Sequence, residues 1–312
     1  MPKLGPMVRA FRAALVAALL VFVSAPASAQ EMGFEAVLTG VDFPTNLAFT
    51  PDGRIFFTEK DTGRVRVISG GALLDEPFAV LPSRTTANET GLLGIAISPD
   101  FADEPWVYVY YSDAETGDNR VVRIRAEGDR GTDVEPVIDL LPWVSGYHNG
   151  GDLAFAADGT LFVSVGEAHD PGRAQDPDDL GGKILRIAPD GSVPRDDPMP
   201  GSPVYALGIR NSFGLCVDRE TGDLWETENG PSEWDEVNRI EPGGNYGWPI
   251  HLGPVGVEGF EDPVLAYEAV IVPTGCAHEG FQAGGGLYFG TYGGELHRVV
   301  IPGMGADRKS VV

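Results

Sequence analysis

The hydrophobic and polar positions after residue 40 repeat one pattern several times. An apolar strand leads into a turn such as Pro-Asp-Gly, then a second apolar strand, a loop, and a third strand ending in arginine and an apolar residue. The repeats span Leu47–Ile68, Ile95–Ile124, Leu153–Ile187, Leu215–Ile240 and, more weakly, Gly286–Ile301. Three- or four-stranded units spaced by roughly 50 to 70 residues are typical of propeller blades. We therefore predict an all-β fold, a β-propeller with about five recognisable blades.

A different pattern precedes these repeats. Lys3, Arg9 and Arg12 form a basic start, residues 13–23 are apolar, and Ala27-Ser28-Ala29 resembles a cleavage site. This order is typical of a secretory signal peptide, and the apolar run is short for a membrane span. We expect residues 1–29 to be removed, residues 30–306 to form the propeller, and the mature protein to be secreted or periplasmic, with no membrane span. An uncleaved N-terminal anchor is the alternative.

Composition and charge narrow the function classes. The 42 glycines and 25 prolines suit a strand-and-turn protein. Loss of the three signal-peptide cations and of no anion would change the net charge from −24 to −27, which argues against binding to nucleic acid or to anionic lipid. Cys216 and Cys276 are the two cysteines; they either pair in an oxidising compartment or stay as buried thiols. No zinc, haem or dinucleotide motif is present.

Candidate chemistry centres on the stretch from Gly146 to Glu167. His148 lies there among glycines that lack a Cβ and so let a flat ligand approach closely. His148 begins the first of five short motifs. They are His148-Asn149-Gly150-Gly151, Gly208-Ile209-Arg210-Asn211, Glu228-Asn229-Gly230-Pro231, Asp235-Glu236-Val237-Asn238 and Gly244-Asn245-Tyr246-Gly247-Trp248-Pro249. In order and spacing, from about Gly91 to Pro249, the chain resembles the PQQ-dependent glucose/sorbosone dehydrogenase family.

The resemblance implies a six-bladed propeller that holds pyrroloquinoline quinone (PQQ) and calcium and oxidises sugars at the anomeric carbon. It implies that His148 is the general base and that Arg210 and Asn211 contact the quinone. It also implies that the carbonyls of Gly230 and Pro231 bind the calcium beside the cofactor. Glu236 and Tyr246 then match the ligands of a second, structural calcium.

The residue types suit this chemistry. A histidine can accept the proton of the C1 hydroxyl near neutral pH while hydride leaves C1. A guanidinium such as that of Arg210 stabilises negative charge that grows on a quinone oxygen. Carboxylate and carbonyl oxygens, which Glu236, Gly230 and Pro231 offer, are the ligands that calcium prefers.

Three further residues match polar cofactor contacts of the family. Glu167 and Gln175 lie where relatives place such contacts, and Glu89 stands where many relatives have glutamine. A carboxylate at residue 89 would weaken the binding of an anionic cofactor unless it is protonated or lies on the calcium side. We expect Lys183 and Arg186, on the next strand, to be strand-end surface charges.

The end of the sequence departs from the family pattern. Relatives supply basic residues to the PQQ carboxylates from the fifth and sixth blades, whereas Gly290–Gly294 offers no lysine. The fifth repeat ends near Ile301, and residues 307–312 read like a non-native tail. We therefore expect a six-bladed propeller truncated within or before its last blade.

The leading functional hypothesis is an exported quinoprotein dehydrogenase that oxidises an aldose or related sugar to a lactone and passes electrons to an external acceptor. His148 would be its base, Arg210 its oxyanion stabiliser, and PQQ and calcium its cofactors. The truncated chain itself could be inactive. One alternative is a non-catalytic, calcium-binding propeller that binds a glycan or protein partner, since propellers host unrelated functions. Another is a calcium-dependent lactone hydrolase, which would need carboxylates converging on one metal.

Overall fold

The computed structural model of the chain describes residues 36–85, 88–279 and 286–300. The predicted signal peptide and the predicted tail at 307–312 lie outside the described residues. Within the described residues, the strands form five antiparallel sheets that follow one another along the chain. No helix in these ranges is long and apolar enough to cross a membrane.

The first two sheets cover residues 44–141. The first consists of β1 (Pro44–Phe49), β2 (Ile55–Glu59), β3 (Arg64–Ser69), β4 (Ala72–Leu73) and β5 (Ala79–Val80). The second consists of β6 (Leu92–Ile97), β7 (Trp106–Ser112), β8 (Asn119–Glu127) and β9 (Arg130–Leu141). Strand β7, rich in aromatic and β-branched residues, is buried at every position because sheets cover both of its faces.

The remaining three sheets cover residues 150–299. The third consists of β10 (Gly150–Phe155), β11 (Leu161–Val165), β12 (Lys183–Ile187) and β13 (Val204–Leu207). The fourth consists of β14 (Ser212–Val217), β15 (Leu224–Glu228), β16 (Asp235–Ile240) and β17 (Leu265–Tyr267). The fifth consists of β18 (Pro273–Glu279), β19 (Gly286–Thr291) and β20 (Leu296–Val299). A short 3-10 helix, Pro171–Gln175, lies between β11 and β12.

The first strand of every sheet carries an irregularity in its pairing with the second. The register shifts between Pro44 and Leu47 in β1, and at the corresponding place in β6, β10, β14 and β18. A bulge bends a strand and re-aims its side chains. The five bulges therefore repeat one local geometry in each sheet, as expected of related blades.

The hydrophobic core lies between consecutive sheets. Four clusters fill the spaces between sheets one and two, two and three, three and four, and four and five. On the outer side of the first sheet, Leu47 and Phe49 of β1 are 54% and 67% exposed. The alternation of β1 thus marks a face that the described residues leave uncovered.

These observations confirm the β-propeller and correct two details of the prediction. The described residues form five blades rather than the expected six, and the truncation stays a prediction. The repeats read from the sequence correspond to the first three strands of the blades one to four. The fifth repeat was placed one strand too late, because blade five begins with β18 at Pro273, before Gly286.

Lys183 and Arg186 were wrongly predicted to be surface charges. Lys183 has no exposed surface, and its Nζ donates to the carbonyls of Arg173 and Gly181 at 2.6 and 2.7 Å. Burial lowers the pKa of Lys183 to about 8. Arg186 is also buried, and its guanidinium pairs with three aspartates: Asp158, Asp196 and Asp197.

The two cysteines are joined. A disulfide links Cys216 of β14 to Cys276 of β18, across a sequence separation of 60 residues. It connects the first strands of blades four and five, so blade five is held to its neighbour covalently as well as by packing. The alternative of two free thiols is thereby excluded.

Candidate active site

His148 lies two residues before β10, the first strand of the third sheet. It is buried, and its backbone has a φ of 56°, which is unusual for a residue with a side chain. The imidazole is held from both nitrogens. Nδ1 forms a short hydrogen bond with the carboxylate of Glu167, and Nε2 lies 3.0 Å from Nη2 of Arg210.

The two partners fix the protonation of the ring. A guanidinium only donates hydrogen bonds, so Nε2 of His148 has to be the acceptor. The proton of the neutral ring then resides on Nδ1 and is donated to Glu167. Glu167 is 1% exposed, and its Oε2 has no hydrogen-bond partner among the described residues. The result is a neutral imidazole oriented by a buried carboxylate, with its lone pair facing Arg210.

Arg210 lies between His148 and two backbone carbonyl oxygens. Its Nη1 donates to the carbonyls of Asn229 at 2.7 Å and Gly230 at 3.1 Å. Its guanidinium lies 5.4 Å from the ring centroid of Trp248, in cation–π range. Burial lowers the pKa of Arg210, and the surrounding carboxylates, first among them Glu167, oppose that effect. The Nε of Arg210 is buried without a hydrogen-bond partner among the described residues.

Glu89 ties the site together from blade two. Its Oε2 accepts from the main-chain N–H of His148 at 2.6 Å and from Nδ2 of Asn211 at 3.2 Å. The Oδ1 of Asn211 in turn accepts from the N–H of Gly150 at 3.1 Å. The carboxylate is thus paired with two donors, which offset its negative charge. The structure brings Glu89, His148, Glu167, Arg210 and Asn211 into one hydrogen-bonded group.

Gln175 is not a member of this group. Its amide exchanges hydrogen bonds with the amide of Asn245 at 2.8 and 2.9 Å and donates to the carbonyl of Trp248 at 2.7 Å. These bonds anchor the segment that carries the Trp248 ring beneath Arg210. A direct contact between Gln175 and a cofactor stays a prediction.

A cavity of about 650 Å³ opens beside the group. All five blades contribute to its lining, with Lys60, Leu93, Gly151, Phe213 and Thr291 as one example from each. Three neighbours of the base also line it: Glu89, Tyr147 and Gly150. The volume is in the range of ligand pockets, which lies at about 300–1,000 Å³.

The glycines after His148 are required by close packing. Gly150 and Gly151 have φ values of 63° and 109°. A Cβ on Gly150 would lie 2.7 Å from the backbone nitrogen of Gly166, and one on Gly151 would lie 2.9 Å from the side chain of Leu93. A bulkier residue would therefore displace β10 from its neighbours, and the cavity wall here is bare backbone, as expected from the sequence.

The predicted calcium ligands lie in two places. The carbonyl of Gly230 accepts from Arg210, and Pro231 is exposed. Glu236 accepts from the N–H of Gly253 at 2.8 Å and from Nδ2 of Asn238 at 3.3 Å. The hydroxyl of Tyr246 binds the backbone of Arg239 and Glu241, so it is engaged elsewhere. Among the described residues, no three His, Cys, Asp or Glu side chains are arranged to hold a metal ion.

Glu236 belongs to a cluster of buried acids on β15 and β16. Glu228 lies opposite Glu236 in the strand register, and Glu226 lies opposite Asn238. Burial raises the pKa of Glu226 to about 8 and that of Glu236 to about 7. Burial and the charges of the two other acids raise the pKa of Glu228 well above its usual value. Such a cluster favours an added positive charge, whether a proton or a cation.

His169 is exposed and contacts the base. Its ring meets that of His148 edge to face at 4.3 Å, and it stacks on Tyr147 at 5.1 Å. Ser145 fixes the His169 ring through a hydrogen bond of 2.7 Å to Nδ1. The one sequence signal was its place two residues after Glu167.

Comparison with known proteins agrees with this geometry. The family model described as Glucose / Sorbosone dehydrogenase matches residues 41–283. The chain belongs to this family.

Two individual relatives are also similar to this member of the glucose/sorbosone dehydrogenase family. It is 32% identical over 260 residues to the aldose sugar dehydrogenase YliI of Escherichia coli (strain K12), covering 79% of this chain and 69% of that protein. It is 30% identical over 272 residues to quinoprotein glucose dehydrogenase B of Acinetobacter calcoaceticus, covering 76% of this chain and 55% of that protein. The chain therefore spans little more than half of the Acinetobacter relative.

Among solved structures, the PQQ-bound form of aldose sugar dehydrogenase from Streptomyces coelicolor superposes with a TM-score of 0.80. It is 36% identical in sequence, and the match covers 89% of this chain and 83% of that chain. The fold and most of its length are thus shared with a structure that holds PQQ.

Proposed function

We propose that this family member is an exported quinoprotein dehydrogenase. It oxidises an aldose or a related sugar at the anomeric carbon to a lactone, with hydride transfer to PQQ. The observation that carries the proposal is the imidazole of His148, hydrogen-bonded between Glu167 and Arg210 and next in sequence to Tyr147, which lines the cavity. The disulfide between Cys216 and Cys276 supports export, because such bonds persist in oxidising compartments.

His148 acts as the general base. Its Nε2 takes the proton of the anomeric hydroxyl while hydride leaves C1. The carboxylate of Glu167 keeps the ring in the required tautomer and stabilises the imidazolium that forms. Since Nη2 of Arg210 now occupies the lone pair of Nε2, the guanidinium has to move aside before the sugar hydroxyl can bind there.

Arg210 then stabilises negative charge. Its Nε is buried without a partner among the described residues, and its Nη2 contacts His148, so both are donors that suit a carbonyl or carboxylate oxygen bound next to the base. The cavity volume and the bare backbone of Gly150 and Gly151 likewise fit a flat ligand. When bound, PQQ supplies the hydride acceptor, with calcium as the electrophile that polarises its carbonyl.

Calcium would be held by main-chain oxygens near Arg210. The carbonyls of Gly230 and Pro231 are the proposed ligands beside the cofactor, and hard oxygens suit this ion. A second calcium would bind Glu236 and the main-chain carbonyl of Tyr246, since the hydroxyl of Tyr246 is engaged. The acidic cluster around Glu236 favours a cation there.

The test is turnover by the reconstituted protein. The chain is loaded with PQQ and calcium, and reduction of an electron-accepting dye is followed with a panel of aldoses, sorbosone and simple alcohols. We expect dye reduction with at least one aldose or related sugar. A folded protein that binds PQQ but reduces the dye with no member of the panel would contradict the proposal and favour a binding function.

A matched pair of histidine variants serves as the control. His148→Gln should lower kcat by about 10²–10⁴-fold, the usual contribution of a general base. His251→Gln should keep activity, because the His251 ring packs on Phe260 and has no part in the hydrogen-bonded group around His148. Equal activity of both variants would remove His148 from the mechanism.

A further inference from the structure

Lys60 is placed to bind a carboxylate in the cavity. It follows β2 in blade one, and among the lining residues that the structure describes it is the one with a positive charge. No motif singled out this residue, and Gly290–Gly294 on blade five contains no basic residue. The missing positive charge is instead present on blade one.

The acidic residues of the lining already have hydrogen-bond donors as partners. Glu89 accepts hydrogen bonds from His148 and Asn211. Asp152 accepts from the N–H groups of Leu153 and Leu215 and from the side chain of Asn46. Because carboxylates bound by several donors are compensated locally, neither one needs Lys60 as its counterion.

The position of the Lys60 side chain is built by its neighbours. Its Nζ lies 5.1 Å from the ring centroid of Phe43. Its stem runs past Gly91, where a Cβ would lie 2.7 Å from Cγ of Lys60. The residue is 8% exposed. A buried stem between a ring and a glycine restricts the side chain of this lining residue, which lowers the entropy cost of binding a ligand there.

The existing partner of Lys60 is weak enough to be exchanged. Nζ donates to Oδ1 of Asp61 at 2.7 Å, but the side chain of Asp61 is 42% exposed. An ion pair with a solvated partner contributes little to stability. The neighbouring acid Glu59 pairs with Arg66 instead. An ammonium has three donors, so it can bind a ligand carboxylate in addition to Asp61.

We infer that Lys60 forms the carboxylate-binding end of the cavity and contacts an anionic, flat ligand whose reactive part lies near His148. The inference rests on the proposed function, in which that ligand is PQQ, an anion with several carboxylates. The contact is a charge-assisted hydrogen bond from Nζ to one carboxylate. It supplies from blade one the attraction that the glycine-rich turn of blade five lacks.

The experiment is a titration of the full chain with PQQ in the presence of calcium, with binding followed by tryptophan fluorescence. Lys60→Met should raise Kd about tenfold, as expected for loss of a hydrogen bond between charged groups, and should reduce the salt dependence of Kd. Lys60→Arg should retain most of the affinity. Asp61→Asn, which removes the competing partner, should bind PQQ more tightly than the wild-type chain.

Asp129→Asn is the control for net charge, because it also removes one exposed acid but lies against Arg54 outside the cavity lining. It should leave Kd unchanged. If Lys60→Met misfolds, as judged by circular dichroism, the comparison of Asp61→Asn with Asp129→Asn decides the question. If both Lys60→Met and Asp61→Asn bind PQQ with wild-type affinity, the role of Lys60 is overturned and the proposed function is not affected. Absence of PQQ binding by the wild-type chain would overturn the proposed function as well.

Discussion

Nη2 of Arg210 lies 3.0 Å from Nε2 of His148, so the lone pair of the proposed base is covered by a cation. The same guanidinium is held by the carbonyls of Asn229 and Gly230. Residues of blades three and four are thereby linked through one guanidinium. Under the proposed function, an anionic ligand would give Arg210 a stronger partner than the imidazole and so free the base. Ligand binding would then be coupled to activation of the base.

Glu167 should set the tautomer of His148. Glu167→Ala removes the acceptor of the Nδ1 proton, so we expect a mixture of tautomers and a fall in kcat of about a hundredfold. Glu167→Gln, which still offers an acceptor oxygen, should lose less. The measurement is the ¹⁵N chemical shift of the imidazole together with kcat. Glu233→Gln, an exposed acid, is the control, and unaltered ¹⁵N shifts in Glu167→Ala would refute the assignment.

The disulfide should stabilise blade five. For a closed loop of 60 residues, the chain-entropy relation gives about 4 kcal/mol of stabilisation. Cys216→Ser combined with Cys276→Ser should therefore lower Tm by several degrees, and treatment of the wild-type chain with a reductant should have the same effect. Differential scanning calorimetry measures both. An equal Tm with and without reductant, in a sample shown by mass to be oxidised at the start, would be the contrary result.

Asp152 should make stability depend on pH. Burial raises the pKa of Asp152 from 3.8 to about 6, so between these values the native state binds a proton that the unfolded chain has lost. The free energy of unfolding should then fall by about 3 kcal/mol at most as pH rises from 4 to 6, since one unit corresponds to about 1.4 kcal/mol. Denaturant unfolding at several pH values measures it.

The Asp152→Asn variant isolates this contribution. It cannot titrate, so its curve should lack the fall, although its overall stability should be lower because the amide cannot replace every acceptor contact with Asn46 and Leu215. The exposed Asp178→Asn serves as the control and should keep the wild-type slope. A slope in Asp152→Asn equal to that of the wild-type chain would exclude this residue as the source.

Calcium should stabilise the chain through Glu236. A cation offsets the repulsion among the buried acids Glu226, Glu228 and Glu236. At a calcium concentration 100-fold above Kd, binding adds about 2.7 kcal/mol of stability, which chelation by EDTA should remove. Glu236→Gln should abolish the effect of calcium on Tm, whereas Glu233→Gln should retain it. If calcium still raises the Tm of Glu236→Gln, the calcium that stabilises the chain binds at other residues.

The sequence predicted the parts of the fold that have strong local signals. Alternating apolar strands around a Pro-Asp-Gly turn identified the first three strands of the first four blades. The fourth strands were missed because they are short or edge elements with weak patterns; β17, for example, has three residues, all half-buried. The burial of Lys183 was also invisible, since a lysine within a strand looks the same whether water or two carbonyls surround its ammonium.

In the site, too, some features could be predicted from the sequence and others could not. The motifs that contain His148, Arg210 and Asn211 could be read from the sequence because each is a compact run of residues. Glu89 was also predicted as a site residue, but its hydrogen bonds could not be predicted, since it is 59 residues from His148 and 122 from Asn211 and meets them through the packing of separate blades. Lys60 lies in a run that resembles an ordinary strand end, and only the cavity relates it to the base.

In the proposed reaction, His148 takes a proton from a sugar as hydride passes to PQQ. This proton transfer is measured by mixing the PQQ-loaded chain with an aldose in a stopped-flow instrument and following the absorbance of the bound quinone in a single turnover. We predict a rapid change in the wild-type chain and in His251→Gln, and a change slower by about 10²–10⁴-fold in His148→Gln that binds PQQ normally. An equal rate in His148→Gln would contradict the account.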